Sequence, residues 1–175
     1  MGEFRIHCRY WFHDKYKNIS DYTTLVQAIN QDQIEVKLDF KDHTIWYFDK
    51  QVKTNFFEFV LYYFFVYRHI ENITYDADLD KENRLEEEII PELEGFLEDE
   101  NISVKDEKPS KGYSPKDFIC KENLEVDSLR KNISKLNDKL KEVNAVLKIS
   151  HGKNNWLIDP NIPRESIIFV NKQEQ

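Results

Sequence analysis

The chain has 175 residues, 40% of them hydrophobic and 14% aromatic, and a formal net charge of −8. That length and apolar content suffice for one domain with a core of its own. The longest apolar run, Phe59 to Tyr67, is nine residues, where a bilayer-crossing helix needs about 20, and two cysteines, Cys8 and Cys120, exclude a disulfide framework or a four-ligand zinc site.

The first residues, Met-Gly-Glu-Phe-Arg-Ile, carry no secretion or myristoylation pattern, so the chain reads as cytoplasmic. The Asn-Ile-Ser/Thr triplets at Asn18, Asn72, Asn101 and Asn132 are then incidental. A composition rich in Lys, Asn, Ile, Asp and Glu and poor in Ala and Gly suggests, by association, an AT-rich bacterial or phage genome.

From Phe4 to Phe12, apolar residues alternate with Arg5, His7, Arg9 and Trp11, which predicts a half-buried strand with a cationic outer face. Ser20 or Asp21 caps a short helix carrying Leu25, Val26 and Ile29. Alternation resumes at Ile34, Val36, Leu38 and Phe40, and after Lys41-Asp42-His43 the run Thr44 to Phe48 completes a β-hairpin.

Thr54 or Asn55 precedes Phe56 to Ile70, which is apolar nearly all round. Its length predicts a buried central helix, although its aromatic and β-branched content keeps a strand in view. Next, Leu85, Ile89, Leu93, Phe96 and Leu97 fall at helical spacing, with Pro91 starting a new helix or kinking the old one. Residues 101–120 hold Pro109, Ser110, Gly112, Ser114 and Pro115 without periodicity and read as a long, mobile loop or linker.

Val126, Leu129, Ile133, Leu136, Leu140, Val143 and Leu147 repeat at alternating steps of three and four, predicting an amphipathic helix about 33 Å long. Ile167 to Val170 reads as a last strand after several turns. The expected fold is α+β: one domain over 1–175, with a small, mostly antiparallel sheet covered by helices and a long amphipathic C-terminal helix. Its parts are strand-rich 1–53, helical and acidic 54–100, the loop 101–120, the helix 121–150 and a closing turn and strand at 151–175.

Charge is the strongest asymmetry. Between Asp76 and Glu107 there are fourteen acidic residues and three basic ones, a net −11, so the rest of the chain sums to +3. The basic residues Arg130, Lys131, Lys135, Lys139 and Lys141 offer one internal counter-charge, if their helix lies against the acidic segment. Surface ion pairs contribute only about 0 to 1 kcal/mol each, so acidic surface should remain.

Two short motifs bear on metal chemistry. Asp76-x-Asp78-x-Asp80-x-Glu82, with Glu87 eleven residues after Asp76, resembles an EF-hand calcium loop, with Lys81 where that loop has glycine and Asn83 where it has an apolar residue. The same acids also suit the first turn of a helix capped by Asp78 or Asp80. Ile34-Glu35-Val36-Lys37-Leu38 resembles the Glu-x-Lys strand of restriction-endonuclease-like nucleases. That resemblance implies Mg²⁺ held by Glu35 and an upstream acid, Asp21 or Asp32, with Lys37 assisting hydrolysis. A solvated strand face carries the same pattern.

His7, His13, His43, His69 and His151 are scattered, with no helical metal-binding pair and no nucleophile context, and read as structural or surface residues. No catalytic residue, metal site or cofactor is therefore assigned.

The chain reads as a non-enzymatic protein-binding module, an inhibitor docking an acidic face on a basic, nucleic-acid-binding protein such as a nuclease. In size and charge it resembles small bacterial immunity proteins and phage anti-defence proteins. The expected contacts are Glu86, Glu87, Glu88, Glu92, Glu94, Glu98, Asp99 and Glu100, with Leu93, Phe96, Leu97 and Tyr113 as apolar anchors. Direct contact with nucleic acid or a membrane is not expected. The alternatives are a helical scaffold that self-associates through 126–147, a calcium-binding protein and a Mg²⁺-dependent nuclease.

Overall fold

The computed structural model describes residues 35–75, 84–106, 119–152, 155–159 and 161–172, with the side chains of 150–155 left aside. The chain divides between Ile34 and Glu35, and every described residue belongs to the second unit, Glu35–Gln175. The expected strand at Phe4–Phe12 and the helix after Ser20 lie outside the described residues.

Alternation builds the sheet. In β1 (Val36–Asp39), Val36 and Leu38 are buried while Lys37 and Asp39 are partly exposed. β2 (Thr44–Tyr47) returns antiparallel, pairing Asp39 with Thr44 and Val36 with Tyr47. The turn is set by Asp39 Oδ1, which accepts from the Lys41 amide at 3.0 Å, and by His43 in the left-handed region at φ 52°. A tight turn at Phe48, φ 54°, leads to β3 (Lys50–Lys53), antiparallel to β2.

β8 (Ile167–Val170) completes the sheet, pairing parallel with β1 from Val36↔Ile167 to Asp39↔Val170. The order is β3-β2-β1-β8, so the sheet is mixed and not mostly antiparallel. The reason is the connection: β8 comes after a helical excursion, which is the kind of crossover a parallel neighbour requires. The coarse class, α+β, stands.

α1 (Phe56–Ile70) begins at a capping box. Asn55 Oδ1 accepts from the Glu58 amide at 2.8 Å, and Glu58 Oε2 accepts from the Asn55 amide at 2.9 Å. Every residue from Phe57 to Val66 is buried, so the apolar run is a core helix and not a strand. Asn72, at φ 58°, ends it in a left-handed turn, and the Ile73 amide reaches back to the Arg68 carbonyl at 2.9 Å. Asn101, at φ 53°, ends the next helix the same way, with Ile102 bonded to Leu97 at 2.8 Å. Two of the four Asn-Ile-Ser/Thr triplets are thus helix stops.

A π-helical turn (Leu85–Ile89) runs into α2 (Ile90–Asp99), with Pro91 in its first turn. The ends of the expected loop are ordered into a short parallel ladder, β4 (Val104–Lys105) with β5 (Ile119–Cys120). α3 (Val126–Val143) buries Leu129, Ile133, Leu136 and Leu140 and packs against β3 and α1. It stops at Asn144, which is extended at φ −160° and caps a 3₁₀ turn (Ala145–Leu147), so its 18 residues span about 27 Å. Asn137 ties the chain beyond that turn back to α3, exchanging two 2.8 Å hydrogen bonds with the Ile149 backbone. A hairpin of β6 (Ser150–Gly152) and β7 (Asn155–Leu157) precedes β8.

Candidate functional site: an acidic helix clamped by buried arginines

The acidic segment has an inner and an outer side, and the inner side is organised by two arginines. Arg68, near the end of α1, is only 4% exposed, and Arg84 is 5% exposed. Arg68 is in direct ionic contact with Glu92 and lies 3.8 Å from Glu88. Arg84 Nε lies 3.9 Å from the other Glu88 oxygen. The Tyr75 ring serves both guanidiniums, with Arg68 Cζ at 4.5 Å and Arg84 Cζ at 4.9 Å from its centroid.

The Tyr75 hydroxyl donates to the Trp156 carbonyl. Burial pushes its pKa up to about 12, partly opposed by the Arg68 charge. Burial also lowers the Arg68 pKa, opposed by Glu88 among its neighbours.

The π-turn explains which carboxylates face inward. Pro91 has no N–H to give, and the Ile90 amide instead reaches Leu85, one residue further back than in an α-helix. Leu85 and Ile89 are buried, Glu88 is drawn to the arginines, and Glu86 and Glu87 are exposed. In α2 the buried residues are Leu93, Phe96 and Leu97, at the spacing of a core face. Glu94 and Glu98, one turn apart, and Asp99 are exposed.

The expected contact set therefore splits. Glu86, Glu87, Glu94, Glu98 and Asp99 form an exposed acidic face. Glu88 and Glu92 are engaged by Arg68 and Arg84, and Glu100 is paired with Lys172 at 3.0 Å. Leu93, Phe96 and Leu97 are 0%, 6% and 0% exposed and cannot anchor a partner, because they hold α2 to the core. Tyr113 lies outside the described residues. Tyr67, exposed and with its ring 5.2 Å from Phe96, is a large side chain that reaches the surface beside α2.

The basic residues of α3 are not the clamp. Lys139 is bonded instead to Glu58, buried in the first turn of α1, at 2.5 Å. The apolar stripe of α3 is buried within its own chain. Arg68, Arg84 and Tyr75 were marked in the sequence only by isolation, Arg68 being the one basic residue to interrupt the apolar run before His69.

The two metal motifs fare differently. Glu35, just before β1, and Lys37 within it pair with each other at 3.4 Å, while Asp21 and Asp32 lie outside the described residues. So do Asp76, Asp78, Asp80 and Glu82, and Glu87 is exposed. Among the described residues no group of three or more His, Cys, Asp and Glu side chains could hold a metal ion, and no helix is long and apolar enough to cross a membrane.

Of the histidines, His43 stacks edge-on against Phe56 at 4.9 Å, and His69 Nε2 donates to the Ile162 carbonyl at 2.8 Å. Compared with known proteins, the chain matches no family model, no curated protein and no solved structure.

Proposed function

We propose that the chain is a non-enzymatic protein-binding module, an inhibitor of the immunity or anti-defence type, which docks its acidic face on a basic, nucleic-acid-binding partner. The observation that supports this reading is the exposed set Glu86, Glu87, Glu94, Glu98 and Asp99, carried on a helix whose inner side is clamped by Arg68 and Arg84. Carboxylates on a helix whose backbone is held to the core need little backbone reorganisation on docking, and their field accelerates encounter with a positive surface. Tyr67 supplies an amphipathic anchor at the edge of that array.

The test compares wild type with Glu87→Lys/Glu94→Lys/Glu98→Lys, which spares the clamp residues Glu88 and Glu92. Because the three side chains are exposed, the variant should keep its stability to within about 0.5 kcal/mol. Wild type should capture a basic nucleic-acid-binding protein from its host lysate. Measured with that purified protein, affinity should fall by more than about tenfold in the variant, and the salt dependence should flatten. Equal affinity at every salt concentration would remove the acidic-face reading.

A further inference from the structure

A cavity of about 610 Å³ lies against α1, with Phe40, Phe56, Phe59 and Tyr63 in its walls and Glu100 and Lys172 at its polar end. It falls within the usual size of small-molecule sites, about 300 to 1,000 Å³, and has their composition, apolar rings with a few convergent polar groups.

The polar end is an ammonium cage. Lys172 Nζ stands 4.8 Å from the Tyr63 ring centroid and 5.8 Å from those of Phe40 and Phe169. The three rings meet nearly at right angles, with centroids 4.9 Å (Phe40–Tyr63), 5.9 Å (Phe40–Phe169) and 5.5 Å (Tyr63–Phe169) apart. The same ammonium donates to Glu100 Oε1 at 3.0 Å and to the Tyr63 hydroxyl, which itself donates to Glu100 Oε1 at 2.6 Å. The Glu100 carboxylate, the Tyr63 hydroxyl oxygen and the Phe40 and Phe169 rings meet the ammonium at one point, with Tyr63 presenting its hydroxyl edge, and such a set selects a cation. The chain's own lysine already occupies that point.

We propose that this cage and the cavity beside it bind a small organic ammonium compound with a flat apolar body, and that Lys172 is its resident competitor. Lys172 is 36% exposed, so its ammonium can leave for water without crossing the core. When it leaves, Tyr63 still donates to Glu100, and no buried polar atom of that pair loses its bond. A quaternary ammonium, more weakly hydrated than a lysine ammonium, sheds less hydration on entering the cage, and its apolar body fills the aromatic cavity that Lys172 leaves open. An organic acid is the opposite expectation: it would use Lys41 and Lys172 but would meet the Glu100 carboxylate. None of Glu86, Glu87, Glu94, Glu98 or Asp99 lines the cavity, so this site stands apart from the acidic face.

The experiment is an NMR titration with benzyltrimethylammonium, using 3-phenylpropionate as the anionic control and benzyl alcohol as the neutral one. In wild type the ε-methylene protons of Lys172, held beside three aromatic rings, should move toward the ordinary lysine position as the cation is added. Lys172→Ala removes the competitor, so its affinity for the cation should rise by about tenfold, and adding Glu100→Gln should reverse most of that gain.

Three results would each overturn the proposal: Lys172 signals unmoved by the cation, no tighter binding in Lys172→Ala, or binding of 3-phenylpropionate in preference to the cation. Should Lys172→Ala fail to fold, the wild-type Lys172 signals decide alone.

Discussion

Two clusters in this molecule use the same parts, a cation, a tyrosine and carboxylate, to opposite ends. At Arg68, 4% exposed, the guanidinium meets Tyr75, Glu88 and Glu92 beside Arg84, 5% exposed, and neither cation has much access to water. At Lys172, 36% exposed, the ammonium, Tyr63 and Glu100 form a cluster with one side open. Hydration decides the difference. A buried charge that loses its partner has nowhere to turn, whereas an exposed one exchanges a partner for water at little cost.

The largest expected effect comes from breaking the closed cluster. Arg68→Ala strips the inner carboxylates of their main counter-charge and should destabilise by about 3 to 5 kcal/mol. The lower end is expected because Glu92 is 31% exposed and can gain water. Urea unfolding checks it, and a loss below about 1 kcal/mol would show that the clamp is a surface ion pair in effect.

Alkali challenges both clusters through their tyrosines. Burial raises the pKa of Tyr63 well above the ordinary tyrosine value, helped by its hydrogen bond to Glu100, and raises that of Tyr75 to about 12. A group whose folded pKa lies above its unfolded value, here near 10, stabilises the fold fully below pH 10. For Tyr75 that contribution fades as pH rises from about 10 through about 12. The melting temperature should therefore be flat on this account up to about pH 10 and fall beyond it. Tyr75→Phe should lose part of that fall, measured by thermal unfolding across the range.

Breaking the open cluster should do less. Lys172→Ala should cost no more than about 1 kcal/mol in the same unfolding assay, because Glu100, itself 21% exposed, keeps its bond from Tyr63. A loss as large as that of Arg68→Ala would erase the distinction between the clusters.

What the sequence makes legible is local. Alternation marks Val36 to Tyr47 as a hairpin and Ile167 to Val170 as a strand, and Asn55-x-x-Glu58 before a long apolar run marks the start of α1. No local pattern names the neighbour of β8, because its parallel partner lies some 130 residues earlier in the chain. β3 is nearly silent as well, since Lys-Gln-Val-Lys buries only Val52.

The acidic face shows the same limit. Clustering of carboxylates is visible in composition, but their division into inner and outer sets depends on Pro91, the π-turn it accompanies, Arg84 at the head of that turn and Arg68 arriving from α1. Leu93, Phe96 and Leu97 carry the three-and-four spacing of a core face, and core is where they are found.

A third tyrosine sharpens the comparison from the side of no partner at all. Tyr62 is 0% exposed, and its hydroxyl has no hydrogen-bond partner among the described residues, while burial raises its pKa well above the ordinary tyrosine value. Tyr63 and Tyr75 use their hydroxyls, as donors to Glu100 and to the Trp156 carbonyl. A buried hydroxyl without a partner forfeits the hydrogen bonds it made to water, a cost of about 1 to 3 kcal/mol, and removing it leaves a small gap where the oxygen was. The two terms oppose, so Tyr62→Phe should range from neutral to about 1 kcal/mol more stable, whereas Tyr75→Phe, which orphans no charge but loses a bond, should be less stable by about 1 kcal/mol. Parallel urea titrations of the two variants decide it. If Tyr62→Phe is the more damaging of the two, the hydroxyl of Tyr62 is bonded after all, and the contrast between satisfied and orphaned tyrosines falls with it.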